Sequence, residues 1–336
     1  MSTVASDQLS VEKRGDPWFD DGNIILLSAD SSVAFRVHRD FLSRHSEVFK
    51  SMFELPQPPT DAESLDGCQV VRMYDKAVEL SNLIKALYDG TGPSSHRTVD
   101  DFLYTAGILR LSTKYFIPRL RTQAIRQLVH TWSNTLRGHD EMIELAVKSP
   151  LIDNKSYPYV HPLHVLNLAR ETNVQIVIPF ALYILSLYPL TDVINGDHPK
   201  LQIDHPSVPS SQLSPQDLQN YTLLFQYRMN VILDFIRRTC GERVATPGCQ
   251  NSESCVKVFT RTSSRLSRTW QIRTGPLYYM VQVSDEILDN PDICGPCRRG
   301  FRQDVAALRE EIWQKLPSIV GLPSWSEMEG ADLPSS

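Results

Sequence analysis

The apolar residues of this chain change their spacing once along its length, and that change constrains the fold more than any single motif. Strand-type runs are confined to the stretch before Tyr74. Asn23-Ile24-Ile25-Leu26-Leu27 is a continuous apolar run suited to a buried strand, and Val33-Ala34-Phe35-Arg36-Val37-His38 alternates apolar and polar side chains as a half-buried strand does. Ser28 to Ser32 between them is turn chemistry, so the pair reads as an antiparallel hairpin. Gln69-Val70-Val71-Arg72-Met73 supplies a third strand. Two short helices separate hairpin and third strand. Phe41 and Leu42 face inward on the first; Ser46 caps the second, whose inner face is Val48, Phe49, Met52 and Phe53. The prolines of Leu55 to Thr60 end it.

From Asp75 onward the spacing is helical. Asp75 is expected to cap a helix carrying Val78, Leu80, Leu83, Ile84 and Leu87, stopped by Gly90, Gly92 and Pro93. Thr98-Val99-Asp100-Asp101 reads as a capping box before Phe102, Leu103, Ala106 and Leu109, and Pro118 opens a helix with Leu120, Ala124, Ile125 and Leu128 inside. Past Trp132 no strand pattern remains. The uncharged run Thr172 to Thr191 reads as a buried helix broken near Pro179, and Pro189 to Leu213 as an exposed linker. Ser214-Pro215-Gln216-Asp217 is a strong helix start, and the last periodic stretch, Phe301 to Leu316, is stopped by Pro317. The expected class is therefore α+β over residues 17–131, a small three-stranded sheet capped by helices, followed by a mainly α-helical region over 132–325. Residues 1–16 read as a disordered lead-in and 326–336 as a flexible tail.

The chain has 336 residues, of which 41% are hydrophobic and 22% charged, enough apolar material for two ordinary cores. A net charge of −5 argues against a whole-chain role on nucleic acid or an anionic membrane. The polar start, Met1 to Pro17, lacks the apolar centre of a secretory signal, and Asn173, Gln175, Pro179 and Pro189 spoil the longest uncharged run as a membrane span. The expectation is a soluble cytoplasmic or nuclear protein with its thiols mostly reduced.

Phe35-Arg36-Val37-His38-Arg39-Asp40-Phe41-Leu42-Ser43 and Ser46-Glu47-Val48-Phe49-Lys50-Ser51-Met52-Phe53 follow the pattern F-x-V-H-[KR]-x-x-L-[SA]-x-x-S-x-x-F-x-x-M-F at nearly every position. With Leu87-Tyr88-Asp89-Gly90 and the helix ending Leu109 to Tyr115, residues 17–130 resemble a BTB/POZ domain. Arg309 to Pro317 and Gly321 to Trp325 are similar to the tail of a large group of fungal, basidiomycete-type BTB proteins. The resemblance implies association rather than chemistry: homodimerisation through the first helix and N-terminal segment and, in some members, recruitment of cullin ubiquitin-ligase scaffolds. It assigns core or interface roles to Asp21, Asn23, Phe35, Val37, His38, Arg39, Leu42, Phe49, Met52 and Phe53. Many members carry Asp where Asn23 stands, with Asp20 and Asp21 here just upstream. Cullin-recruiting members carry an apolar-x-Glu motif after the Met-Phe pair; Glu54-Leu55-Pro56-Gln57-Pro58-Pro59 has no Glu in that register. For His38, a satisfied histidine tying strand to helix is favoured over a catalytic one.

Five of the six cysteines lie between residues 240 and 297. Cys249-x5-Cys255 and Cys294-x2-Cys297 could supply four thiolates to one zinc, although the 38 residues between the pairs exceed the spacing of compact fingers. Unligated reduced thiols and redox chemistry stay open beside it. Cys294-Gly295-Pro296-Cys297 has the thioredoxin tetrapeptide, but only 39 residues follow it, with no strand pattern for that fold. Residues 254–284 hold Lys257, Arg261, Arg265, Arg268 and Arg273, with Trp270, Tyr278 and Tyr279 nearby. A nucleic-acid face is conceivable there, and a solvated basic segment is the simpler account.

No G-x-G-x-x-G, Walker, H-E-x-x-H or G-x-S-x-G string occurs, and His161, His164 and His205 have no matched nucleophile or carboxylate spacing, so surface or capping roles are expected for them. The expected function is a non-enzymatic, homodimeric protein-interaction module, with a cullin adaptor as a sub-case. The alternative is a zinc-binding transcriptional or nucleic-acid-associated factor using residues 249–297.

Overall fold

The computed structural model describes residues 13–55, 63–90 and 97–334. Its chain divides into two units. The first comprises residues up to Leu128 together with Ile203–Pro209, and the second comprises Val129–Gln202 with Ser210–Ser336. The first unit thus takes in a short segment from far along the chain.

In the first unit the strands are β1 (Lys13–Arg14), β2 (Ile24–Leu27), β3 (Val33–Val37), β4 (Ser64–Leu65) and β5 (Cys68–Arg72), in the spatial order β1-β3-β2-β5-β4. The sheet is mixed and has five strands rather than the three expected. β1 and β4 have two residues each, too few for any periodicity to show. β1 also falls within the expected disordered lead-in; the rest of that lead-in up to residue 12 lies outside the described residues. β2 runs antiparallel to β3 and parallel to β5, with Ile25 opposite both Arg36 and Val70. All four of its residues are buried, which explains why its sequence is continuously apolar.

The helices of this unit are α1 (Arg39–His45), α2 (Glu47–Glu54), α3 (Ala77–Asp89), α4 (Val99–Lys114) and α5 (Pro118–Thr131). The prolines after Leu55, and Gly92 and Pro93, lie outside the described residues. Ser46 accepts a hydrogen bond from the Phe49 N–H at the start of α2 and donates to the Tyr115 carbonyl. Thr98 and Asp101 form the reciprocal capping box of α4. Asp75 does not cap α3, whose N-cap residue is Lys76. The buried Asp75 carboxylate instead accepts from the Tyr115 hydroxyl and lies 2.7 Å from Lys114 Nζ. Glu79, also buried, pairs with Arg110 at 3.0 Å, and Arg110 donates to the Ser207 carbonyl at 2.7 Å. The last bond, with another from Lys76 to the Pro206 carbonyl, holds Ile203–Pro209 on this unit. The Pro189 to Leu213 stretch is therefore no exposed linker: Lys200, Leu201 and Ser207 within it are buried.

The second unit is helical throughout: α6 (Leu136–Lys148), α7 (Pro162–Glu171), α8 (Ile178–Leu185), α9 (Leu190–Asn195), α10 (Pro215–Asp234), α11 (Ser252–Thr269), α12 (Pro276–Asp289), α13 (Gly295–Ile319) and α14 (Trp325–Asp332). All eight residues of α8 are buried. Pro179 sits in its first turn and opens the helix instead of breaking it, since a first-turn proline loses no intrahelical hydrogen bond. Pro317 likewise does not stop α13, which runs two residues past it. Among the described residues no single helix is long and apolar enough to cross a membrane.

The expected flexible tail from residue 326 is mostly the helix α14. Ser324 and Glu327 form its capping box, Trp325 stacks on Trp313 at 5.2 Å, and the Asp332 carboxylate accepts the Gln175 and Ile176 N–H groups at 2.7 and 2.8 Å. A helix with those buried anchors is ordered despite its polar composition.

Three histidines act by one local rule. In His161-Pro162-Leu163, His198-Pro199-Lys200 and His205-Pro206-Ser207, the ring Nδ1 accepts the backbone N–H two residues on, at 3.2, 3.1 and 3.0 Å. The intervening proline has no N–H to compete and fixes its own φ for the turn, so the imidazole works as an Asn or Asp cap would.

Candidate functional site

Two places in the molecule carry chemistry beyond packing, one in each unit. The residues singled out in the first unit divide into core and rim. Phe35, Val37, Leu42, Phe49 and Phe53 are buried; Met52 is half-buried. Phe49 stacks on Tyr115 at 4.4 Å and on Phe53 at 5.7 Å, so the inner face of α2 is an aromatic ladder. His38 takes the satisfied role. Its Nδ1 lies 3.0 Å from the Tyr88 hydroxyl, which also accepts the His38 N–H, and its Nε2 lies 3.2 Å from Asp21. Tyr88 in turn stacks between Phe19 and Phe41 at 4.3 and 4.1 Å. Asn23 accepts the Arg39 N–H at 2.8 Å and so caps α1 from outside it; an Asp there would do the same with a charge. Arg39 donates to the Phe53 carbonyl, tying the start of α1 to the end of α2.

The rim holds what the pattern did not reveal. A groove of about 820 Å³ runs beside α2 and the turn from α4 into α5, walled by Val48, Met52, Leu55, Phe116 and Pro118. Leu55 is 63% exposed and Phe116 72% exposed. Phe116 also has φ +49°, left-handed backbone at a helix end where glycine is the usual occupant. A bulky residue there costs about 1–2 kcal/mol. The turn needs a left-handed residue, because the Ile117 N–H closes back on the Ser112 carbonyl at 2.9 Å; it does not need an aromatic ring facing solvent. Beside the groove, Arg39, Asp40, Arg44, Glu47, Lys50 and Glu54 line a shallow recess carrying charges of both signs along α1 and α2. Glu54 is the last residue of α2, and of the stretch Glu54 to Pro59, where no Glu stands in register for an apolar-x-Glu motif, the part from Pro56 on lies outside the described residues.

In the second unit the two cysteine pairs meet. The sulfurs of Cys249, Cys255, Cys294 and Cys297 all lie within 4.8 Å of one another. Cys249 to Cys255 is 3.7 Å and Cys294 to Cys249 is 3.5 Å, both far beyond a sulfur–sulfur bond. Cys255 and Cys297 are fully buried, while Cys249 and Cys294 are half-buried. Backbone N–H groups point at the sulfurs: Cys294 N–H to Cys255 Sγ and Thr246 N–H to Cys297 Sγ, each at 3.4 Å. Two such bonds, from Cys297 and Gln250, bring the Cys294 thiol down to about 6. Cys68 and Cys240 stand apart; burial pushes the Cys240 thiol up to about 12. The basic residues of α11 and of the turn after it are spread and mostly solvated, with Arg265 paired to Glu286 at 2.5 Å.

Residues 22–126 match the family model of the BTB/POZ domain. No curated protein and no solved structure matches the chain.

Proposed function

We propose that this protein, whose residues 22–126 form a BTB/POZ domain, is a non-enzymatic adaptor. Its BTB domain homodimerises and presents the groove beside α2 to a helix of a cullin scaffold, while the helical second unit holds the protein to be delivered. The observation that carries this reading is Phe116, an exposed ring on a strained backbone at the lip of an apolar groove. Strain and exposure both work against folding, so a binding role accounts for their retention. An apolar trough flanked by charges of both signs suits an amphipathic helix, whose apolar anchors bury while its polar flank sets the register. The BTB resemblance supports dimerisation and cullin recruitment, and the likeness of the tail motifs to fungal BTB proteins supports the pairing of this domain with a helical unit.

Light scattering on the full-length chain is expected to give a dimer, and a strict monomer at high micromolar concentration would overturn that part. For the groove, Phe116→Gly separates binding from folding. It is expected to raise the unfolding free energy by about 1 kcal/mol, because the left-handed turn is relieved. It should also cost capture of a cullin N-terminal domain at least tenfold, about 1.4 kcal/mol. Leu55→Asp should weaken capture similarly while leaving the dimer intact. Full retention of capture by both variants would remove the groove from the account.

A further inference from the structure

The geometry points to a closed structural zinc centre formed by the thiolates of Cys249, Cys255, Cys294 and Cys297, riveting the loop before α11 to the first turns of α11 and α13.

Four observations converge on it. The first is spacing. Zinc holds thiolates at about 2.3 Å in a tetrahedron, which sets neighbouring sulfurs about 3.8 Å apart. The Cys294–Cys249 and Cys249–Cys255 sulfur distances, 3.5 and 3.7 Å, and the placement of all four sulfurs within 4.8 Å of one another fit one metal ion at the centre. Iron–sulfur clusters place their cysteines farther apart, because several metal atoms and sulfides lie between them.

The second observation is electrostatic. A zinc ion with four thiolates carries a net charge of −2. Cys294 is the N-cap residue of α13, a 25-residue helix, and Cys297 is in its first turn; Cys255 is in the first turn of α11, of 18 residues. Two helix N-termini therefore direct positive dipole ends at the position the dianion would occupy. The third is the outer layer. The N–H groups of Cys294 and Thr246 already point at Cys255 and Cys297, and those of Gln250, Asn251 and Cys297 serve Cys249 and Cys294. Such N–H to sulfur bonds orient ligands and spread thiolate charge.

The fourth is the absence of a better reason for the arrangement. Core packing alone does not call for four thiols to converge on one point, and the sheet that would make Cys294 and Cys297 a thioredoxin pair is absent, since the second unit has no strand of that kind among its described residues. A second anchor stands next to the site. The Arg243 guanidinium lies over the Phe259 and Phe301 rings at 5.3 and 5.2 Å, and pairs with Asp304 at 2.7 Å. Phe259 and Phe301 lie one turn beyond Cys255 and Cys297, so metal and cation hold the same two helices at successive levels. With all four positions taken by protein, no site is left for water or substrate, and the centre is structural rather than catalytic.

The test uses the full-length chain purified without added metal or chelator. Elemental analysis should find one zinc per chain. Cys249→Ser and Cys294→Ser should lose it, while Cys68→Ser and Cys240→Ser should keep it. Metal removal with a strong chelator should lower the thermal midpoint of the second unit by more than about 5 °C, restored by zinc alone. Should the serine variants fail to fold, cobalt substitution of the wild-type chain decides: thiolate-to-cobalt charge transfer with the ligand-field bands of a tetrahedral sulfur site supports the assignment. Well under one zinc per chain after incubation with excess zinc, iron in its place, or a Cys294–Cys297 disulfide in the freshly purified protein would each overturn it.

Discussion

Arg228→Met is expected to destabilise the second unit by about 3–5 kcal/mol, the largest single effect that any substitution away from the cysteines should produce. Arg228 lies in α10 and is 2% exposed, and no carboxylate among the described residues pairs with it. Its guanidinium instead donates to three carbonyls: Ser186 at the end of α8 at 2.8 Å, Thr274 at 2.9 Å, and Ile272. Ile272 and Thr274 belong to the turn between α11 and α12, so one side chain joins four helices. The carbonyl at the C-terminus of α8 carries the negative end of a helix dipole, and Phe225 offers its ring face 5.3 Å away. Burial presses the Arg228 pKa downward, yet guanidinium stays charged at any ordinary pH. Methionine fills most of the volume but leaves three carbonyls without donors. Arg228→Lys should recover only part of the loss, because a single ammonium cannot span a fork of acceptors. Urea unfolding followed by tryptophan fluorescence reads the effect; a loss under 1 kcal/mol for Arg228→Met would contradict it.

Acid should weaken the same unit steeply. His139 and His161 are 1% and 0% exposed, and burial lowers both pKa values, that of His161 to about 2. The neighbours of His161 offer no relief: Tyr188 and His198 lie at 4.5 and 5.1 Å, and Lys200 and His164 add positive charge. His139 is enclosed by Phe180, Tyr183 and Trp313, and its contact with Asp140 does not outweigh desolvation. In the unfolded chain both would titrate near 6.5, so the folded form binds fewer protons below that pH. Stability is therefore complete above about pH 6.5 and falls as pH drops toward the folded values. At pH 5 the loss is about 2 kcal/mol for His161, and His139 shifts stability in the same direction. Protonating His161 at Nδ1 would also remove the acceptor that caps α7. His161→Asn keeps a neutral acceptor in the same place and should remove most of that residue's share. An unchanged difference between urea midpoints at pH 7.5 and pH 5 in this variant would refute the assignment.

How much of this was legible in the chain depends on the range of the interaction. Phe35, Val37, Leu42, Phe49 and Phe53 announced themselves because burial on one element imposes a period, and Ser214 to Asp217 and Thr98 to Asp101 announced helix starts because capping is local. Ser324 and Glu327 carry the same local signal for α14, within a polar stretch that otherwise resembles a tail. The repeated His-Pro dipeptide was equally visible. Asp75 looked like a cap and serves Tyr115 and Lys114 instead, since a partner forty residues away leaves no mark on local spacing. Each cysteine pair was readable; their convergence across 38 residues was a matter of tertiary folding. Phe116 gave no sign, because the backbone turn that makes it unusual is decided by α4 and α5 around it.

Asp332 binds the amides of Gln175 and Ile176 across 157 and 156 positions of chain, and Trp325 leans on a helix whose neighbours begin near Trp132. Such long-distance closures cannot form until Asp332 has left the ribosome. Synthesis therefore exposes the oily α8 segment well before α10 and α13, which pack on it, are translated, an interval in which chaperone contact is physically favoured.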